Sequence, residues 1–160
     1  VHLYASNAER NWYGRIGQQG ADRIVEAILA EGFRVVLVGR TYVKGGVERR
    51  DEEYAYHSHV PHPGVTHIKG IRTAARLTER AAAVVGALSA WVSLAGELDK
   101  KCWMSVGRTF EHEFRREGDV FQRFYKQGAT VRWWPPDSIS DDVASLTAFL
   151  RSLDPAQKVC

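Results

Sequence analysis

The run FRVVLVGR, residues 33–40, is apolar and β-branched on successive positions rather than on alternate ones. A strand written this way is covered on both faces, and such strands belong in parallel sheets clothed by helices. The residues before it fit that plan. Ile24, Val25, Ile28 and Leu29 recur at helical spacing over 18–31, and Gly32 stands where a helix ends. The alternation then continues along the chain. VHLYA, VTHIKG, AVVGA, CWMSV and ATVRWW read as further strands, while TAARLTERAAA and SAWVSLAGEL read as helices. The turn PPDSISDD introduces a last amphipathic helix with Val143, Leu146, Phe149 and Leu150 on one face.

Each parallel crossover needs its own helix, so the expected fold class is α/β: a Rossmann-like three-layer domain with a parallel sheet of about six strands in the order 3-2-1-4-5-6. A length of 160 residues fits one domain over 1–160. SNAERNWYG is expected to be a polar turn after the first strand. TYVKGGVERRDEEYAYHSHVPHPG is expected to be a loop with room for one short helix, and GRTFEHEFRREGDVFQRFYKQG an irregular stretch, helical in its later part.

The net charge of +3 is spread through mixed stretches such as VERRDEE and ELDKK. Interleaving of this kind describes a solvated surface and argues against a nucleic-acid partner, while anionic small ligands stay compatible with it. Cys102 and Cys160 have neither metal-ligand spacing nor a disulfide framework, which fits a reducing compartment. No apolar run reaches bilayer length and VHLYASNAER lacks a signal-peptide plan, so a cytoplasmic chain without a membrane partner is expected.

In a doubly wound sheet, ligands sit beyond the carboxyl ends of the strands at the switch point, here the loops after VHLYA and AVVGA. In the first loop, Ser6 and Asn7 offer hydrogen bonds and Arg10 offers a charge that clamps a phosphate. A solvated loop is the plain alternative. In the second, Gly86 is expected to permit a tight turn, and Ser89 to cap a helix whose N-terminus suits a diphosphate. An N-cap without a ligand is the plain alternative there. Other polar groups are weaker candidates. His57, His59 and His62 match no standard zinc spacing, so no metal is expected. Lys44, Gly45 and Gly46 lack the rest of a phosphate loop and read as a turn, and Glu111, His112 and Glu113 read as a polar face.

Taken together, these segments resemble the C-terminal, nucleotide-sugar-binding half of the heptosyltransferase-like glycosyltransferases of GT-B architecture. LYASNAERNWYG is similar to the family's strand, Thr/Ser-rich loop and Lys-x-Trp-Pro element, with Arg10 and Trp12 at the Lys and Trp positions. IKGIRTAARLTERAAAVVGA is similar to its GxxSLxEhAALhxxADLVVG run. The resemblance implies that Ser6, Asn7, Arg10, Gly86 and Ser89 contact a nucleotide diphosphate or nucleotide sugar. That donor is a substrate, and no separate cofactor is implied. The chain departs from the family's Asp-Ser/Thr-Gly-x-x-His element: Leu88 stands at the aspartate, Ala90 at the glycine and Ser93 at the histidine, with Ser89 alone retained. The family's N-terminal half, which carries the acceptor site and the general base, has no counterpart in these residues. Two readings therefore stand side by side. One is a glycosyltransferase-like domain whose acceptor half is supplied elsewhere. The other is a degenerate, non-catalytic domain serving as a structural or interaction module, with another protein chain or a second copy at the face where the N-terminal half would dock.

Overall fold

The structure, a computed structural model, describes residues 1, 12–38, 43–44, 47–48, 62–68, 70–87, 90–107, 129–134 and 138–156. Helix α1 spans Trp12–Ala30 and is interrupted at Gly17, whose φ of 61° and ψ of −173° are open to glycine and strained for other residues. The helix ends as its sequence dictates. Gly32 takes a φ of 83°, its N–H donates to the Leu29 carbonyl, and the Phe33 N–H reaches back to the Ile28 carbonyl. This is a Schellman closure, and Phe33 and Ile28 join the same core. The chain turns directly into strand β1, Val35–Val38.

Strands β2 (Val43–Lys44) and β3 (Val47–Glu48) follow as an antiparallel pair. Then come β4 (Val65–Ile68), helix α2 (Ile71–Arg80), β5 (Ala83–Ala87), helix α3 (Ala90–Glu97), β6 (Lys101–Gly107), β7 (Thr130–Trp134) and helix α4 (Ile139–Arg151). β1 pairs with β4 in parallel, and β5, β6 and β7 form a second parallel sheet in that order. The described chain is thus α/β with parallel sheets.

Val1 carries the most informative single pairing. Its amino group donates to the Val36 carbonyl at 2.6 Å, and the Val38 N–H donates to the Val1 carbonyl at 2.9 Å. Val35, in contrast, bonds toward β4 through the Gly64 carbonyl. Val1 therefore lies along the β1 edge that faces away from β4, with the bonding pattern of a parallel neighbour. The remaining residues of VHLYA lie outside the described residues.

Two buried clusters divide the faces of the β5–β7 sheet. On one face Val85, Ala87 and Trp103 pack under α1 (Ala21, Ile24, Val25, Ile28) and α4 (Leu146, Phe149, Leu150), in a cluster that also takes Val35 and Leu37 from β1. On the other, Val84, Cys102, Met104 and Val106 pack under Val92 and Ala95 of α3. The alternation along β5 and β6 is the two-residue period of a strand, with apolar side chains on both faces. The Cys102 thiol is free, and burial pushes its pKa up to about 12, which keeps it a neutral apolar filler.

Three expectations need correction. The polar turn read over 6–14 gives way to helix from Trp12, because Gly17 lets a short helical turn join α1 at an angle. The long loop after β1 contains the β2/β3 pair, two residues on each side, too short to show a period in the sequence. The run 33–40 is covered less evenly than its composition implies. Val35 and Leu37 are buried against α1, whereas Val36 and Val38 are half-buried on the opposite face. The stretch 108–128 lies outside the described residues.

Leu146 is fully buried beneath α1 and Trp103. Leu146→Ala is expected to lower unfolding free energy by about 3 kcal/mol, measured by urea denaturation. A second expectation holds where nothing precedes Val1: its ammonium would then lose its hydration on folding, lowering its pKa from 8.0 to about 5. Between those values the unfolded chain binds more protons than the folded one, so stability rises with pH across that window and is lost as pH falls toward 5. For a chain whose amino group is that of Val1, the melting temperature should climb from pH 5 to pH 8. Acetylating the amino group, which keeps an N–H donor and removes the charge, should flatten the climb.

Candidate functional site

The direction of the helices defines which end of the sheet can receive a ligand. α1 runs into β1 through the tight turn at Gly32, so α1 ends at the amino edge of β1 and starts at its carboxyl edge. α4 lies alongside in the same direction. Arg23 Nη2, just past the middle of α1, donates to Ser140 Oγ at the start of α4 at 3.2 Å, and Arg151 bonds Glu31 at 2.8–2.9 Å near the two ends. Both helices thus start at the carboxyl edge of the strands, where parallel α/β sheets take their ligands.

The α4 start is already occupied by its own chain. Ser138 caps it: Ser138 Oγ accepts from the Asp141 N–H at 3.3 Å, while the Asp141 carboxylate accepts from the Ser138 N–H at 2.9 Å. The Asp141 pKa falls below its ordinary value, first through the Ser138 backbone and side-chain hydrogen bonds and then through the Arg132 charge. With Asp141 and Asp142 in its first turn, this helix start repels a phosphate.

Behind the cap lies a polar cluster that the sequence reading missed. Arg132 on β7 is the register partner of Ser105 on β6, and Arg132 Nε stands 3.8 Å from Oδ1 of Asp142, whose side chain is 1% exposed. The Ser105 hydroxyl is fully buried without a hydrogen-bond partner among the described residues. One residue pair deeper, Trp103 Nε1 donates to Ser145 Oγ at 3.1 Å. The sequence did contain a signal for Asp142, which stands four positions before Leu146 and seven before Phe149, on the stripe that packs against the sheet. The arrangement ties α4 to β6 and β7. Ser105 and Asp142 offer no face to a substrate, since both are closed from solvent, and Arg132 alone of the cluster keeps part of its side chain exposed, 27%.

Of the site residues expected from sequence, Ser6, Asn7, Arg10 and Ser89 lie outside the described residues. Gly86 is placed, and the tight turn expected at it is corrected. It is a buried residue inside β5, in register with Met104, and it takes no positive φ, so the strand runs on to Ala87 before any turn. By the two-residue period of the strand it shares the α3 face with Val84, which packs against Val92 and Ala95. Ser93, at the position of the family's histidine, is half-buried on α3, as is Trp91. His62 accepts the Gly64 N–H through Nδ1 at 2.9 Å and shapes the turn before β4; His57 and His59 lie outside the described residues. Among the described residues, no group of three or more His, Cys, Asp or Glu side chains is placed to hold a metal ion.

The buried cluster generates a paired expectation. Removing the carboxylate takes an opposite charge from beside Arg132 and leaves a gap under α4, so Asp142→Ala should cost about 2 kcal/mol. Removing the partnerless hydroxyl should do the opposite, with Ser105→Ala stabilising by about 1 kcal/mol. Chemical denaturation of the two variants separates these signs. Comparison of the chain with protein-family models, with curated proteins and with solved structures finds no match.

Proposed function

We propose that this chain is a Rossmann-like domain that binds a nucleotide diphosphate or nucleotide sugar, in the manner of the donor half of a heptosyltransferase-like glycosyltransferase. The observation that carries the reading is the pairing of Val1 along β1 on the edge away from β4. Val1 also packs against a core shared by β1, β5 and β6. A strand continuing from Val1 between β1 and β5 would unite the two parallel sheets into one of six strands, in the order 3-2-1-4-5-6. The switch point of that sheet falls between the strand from Val1 and β5. The loops that follow these two strands carry Ser6, Asn7, Arg10 and Ser89.

In this reading Arg10 clamps the diphosphate with its guanidinium fork, and the start of α3, capped by Ser89, faces it from the other side. Glycosyl transfer would need an acceptor and a general base from outside these residues. The cytoplasm, whose reducing conditions suit a free Cys102, is the proposed compartment. Among the described residues no helix is long and apolar enough to cross a membrane. The replacement of the family's Asp, Gly and His by Leu88, Ala90 and Ser93 favours a second reading, a domain that keeps the architecture as an interaction module and transfers nothing.

A thermal-shift series with ADP, GDP, UDP, dTDP and their sugar conjugates separates the two. A selective rise of about 5 °C at saturating ligand, abolished by Arg10→Ala, is the expected result. Equal melting temperatures with and without every nucleotide overturn the donor-binding reading in favour of the interaction module.

A further inference from the structure

Helix α2 breaks local rules that α4 obeys. In α4 the first turn carries acid, the last turn carries Arg151, and the cap is a reciprocal box. In α2 the N-cap is Gly70 with no side-chain hydrogen bond, the first turn has no acid, and Arg72 sits there instead. A cation at that end opposes the helix dipole. Arg72, Arg76 and Arg80 then follow one another at four-residue spacing, so like charges stack on one face and repel.

All three arginines are exposed, and no hydrogen bond or ion pair holds them among the described residues. The buried side of the helix is formed by Ala74 and Thr78, whose hydroxyl turns back to the Ala74 carbonyl at 2.9 Å. At about 100° per residue, Arg76 points directly opposite the midpoint of Ala74 and Thr78, with Arg72 and Arg80 on either side of it. The one acid of the helix, Glu79, is exposed on the flank of this stripe. At the Arg80 end, Ala83 is the register partner of Lys101, so the exposed Lys101 lies at the same edge of the sheet. An arrangement that weakens its own helix, and leaves three planar donor forks in solvent, is compensated when an anionic surface covers it.

We infer that the outer face of α2 is a docking surface for an acidic helical segment of a partner protein. The stripe is about 12 Å long with a repeat of about 6 Å, which is the repeat of carboxylates at four-residue spacing on a facing helix. Its short length, and the acid Glu79 on its flank, fit a few aligned carboxylates better than the extended phosphate track of a nucleic acid. The face carries no exposed large apolar side chain among Arg72, Thr73, Arg76, Glu79 and Arg80, as insertion into a lipid surface would require. The inference does not rest on the nucleotide-binding reading.

The test uses the full chain and a fluorescent helical peptide with glutamates at every fourth residue, titrated at low salt by anisotropy. A peptide of the same composition in scrambled order, an oligothymidylate of equal charge and phosphatidylserine vesicles are the comparisons. The expected result is preferential, salt-sensitive binding of the spaced peptide. The triple variant R72Q/R76Q/R80Q should weaken it about tenfold, while R23Q/R34Q/R151Q, equal in charge and away from α2, should not. The stripe variant should melt no lower than the parent, because repulsion is relieved; R72K/R76K/R80K, which keeps the charge, should retain part of the binding. Equal affinity of parent and stripe variant overturns the inference. So does tighter binding of the oligothymidylate or the vesicles, or a stripe variant that unfolds several degrees earlier.

Discussion

Trp103 is the point on which the described structure turns. Fully buried at the middle of β6, it lies beneath both α1 and α4, and its indole N–H is tied to Ser145 of α4. A parallel ladder has no hairpins to hold it, so β5, β6 and β7 stay in register only while helices bury their faces. The same cluster draws in Val35 and Leu37 from the other sheet, so the two parallel sheets share one apolar interior although no described strand bonds them.

Much of this order was legible because burial imposes it residue by residue. Ile24, Val25 and Ile28 had to recur at helical spacing to face the sheet, and Gly32 had to follow them because the closing residue takes a positive φ. Val143, Leu146, Phe149 and Leu150 marked the packed side of α4 for the same reason. What periodicity does not record is backbone conformation at a single residue. The break at Gly17 and the extended conformation of Gly86 depend on dihedral angles, and a glycine letter is compatible with a turn, a kink or a strand. The β2/β3 pair fails to register because two residues per side display no alternation.

The candidate site was less legible than the fold. Residues proposed for phosphate binding were chosen by chemical type and by resemblance, and the geometry of Ser6, Asn7, Arg10 and Ser89 lies outside the described residues. Asp142 shows the opposite case, a polar letter on an apolar stripe that composition treats as surface and packing treats as interior. Its proximity to Arg132 explains how a carboxylate is accommodated there, since a charge removed from water must meet an opposite one.

β4 raises a different matter. Its outer edge meets no other strand among the described residues, and an unpaired edge is a template on which a foreign strand, or another copy, can propagate the ladder into an aggregate. Here the template is short and wet. β4 is four residues long, and its middle pair, Thr66 and His67, is exposed. An incoming strand would find few carbonyls to bond and little grease to bury, which is how a sheet can end in solvent without inviting its own extension.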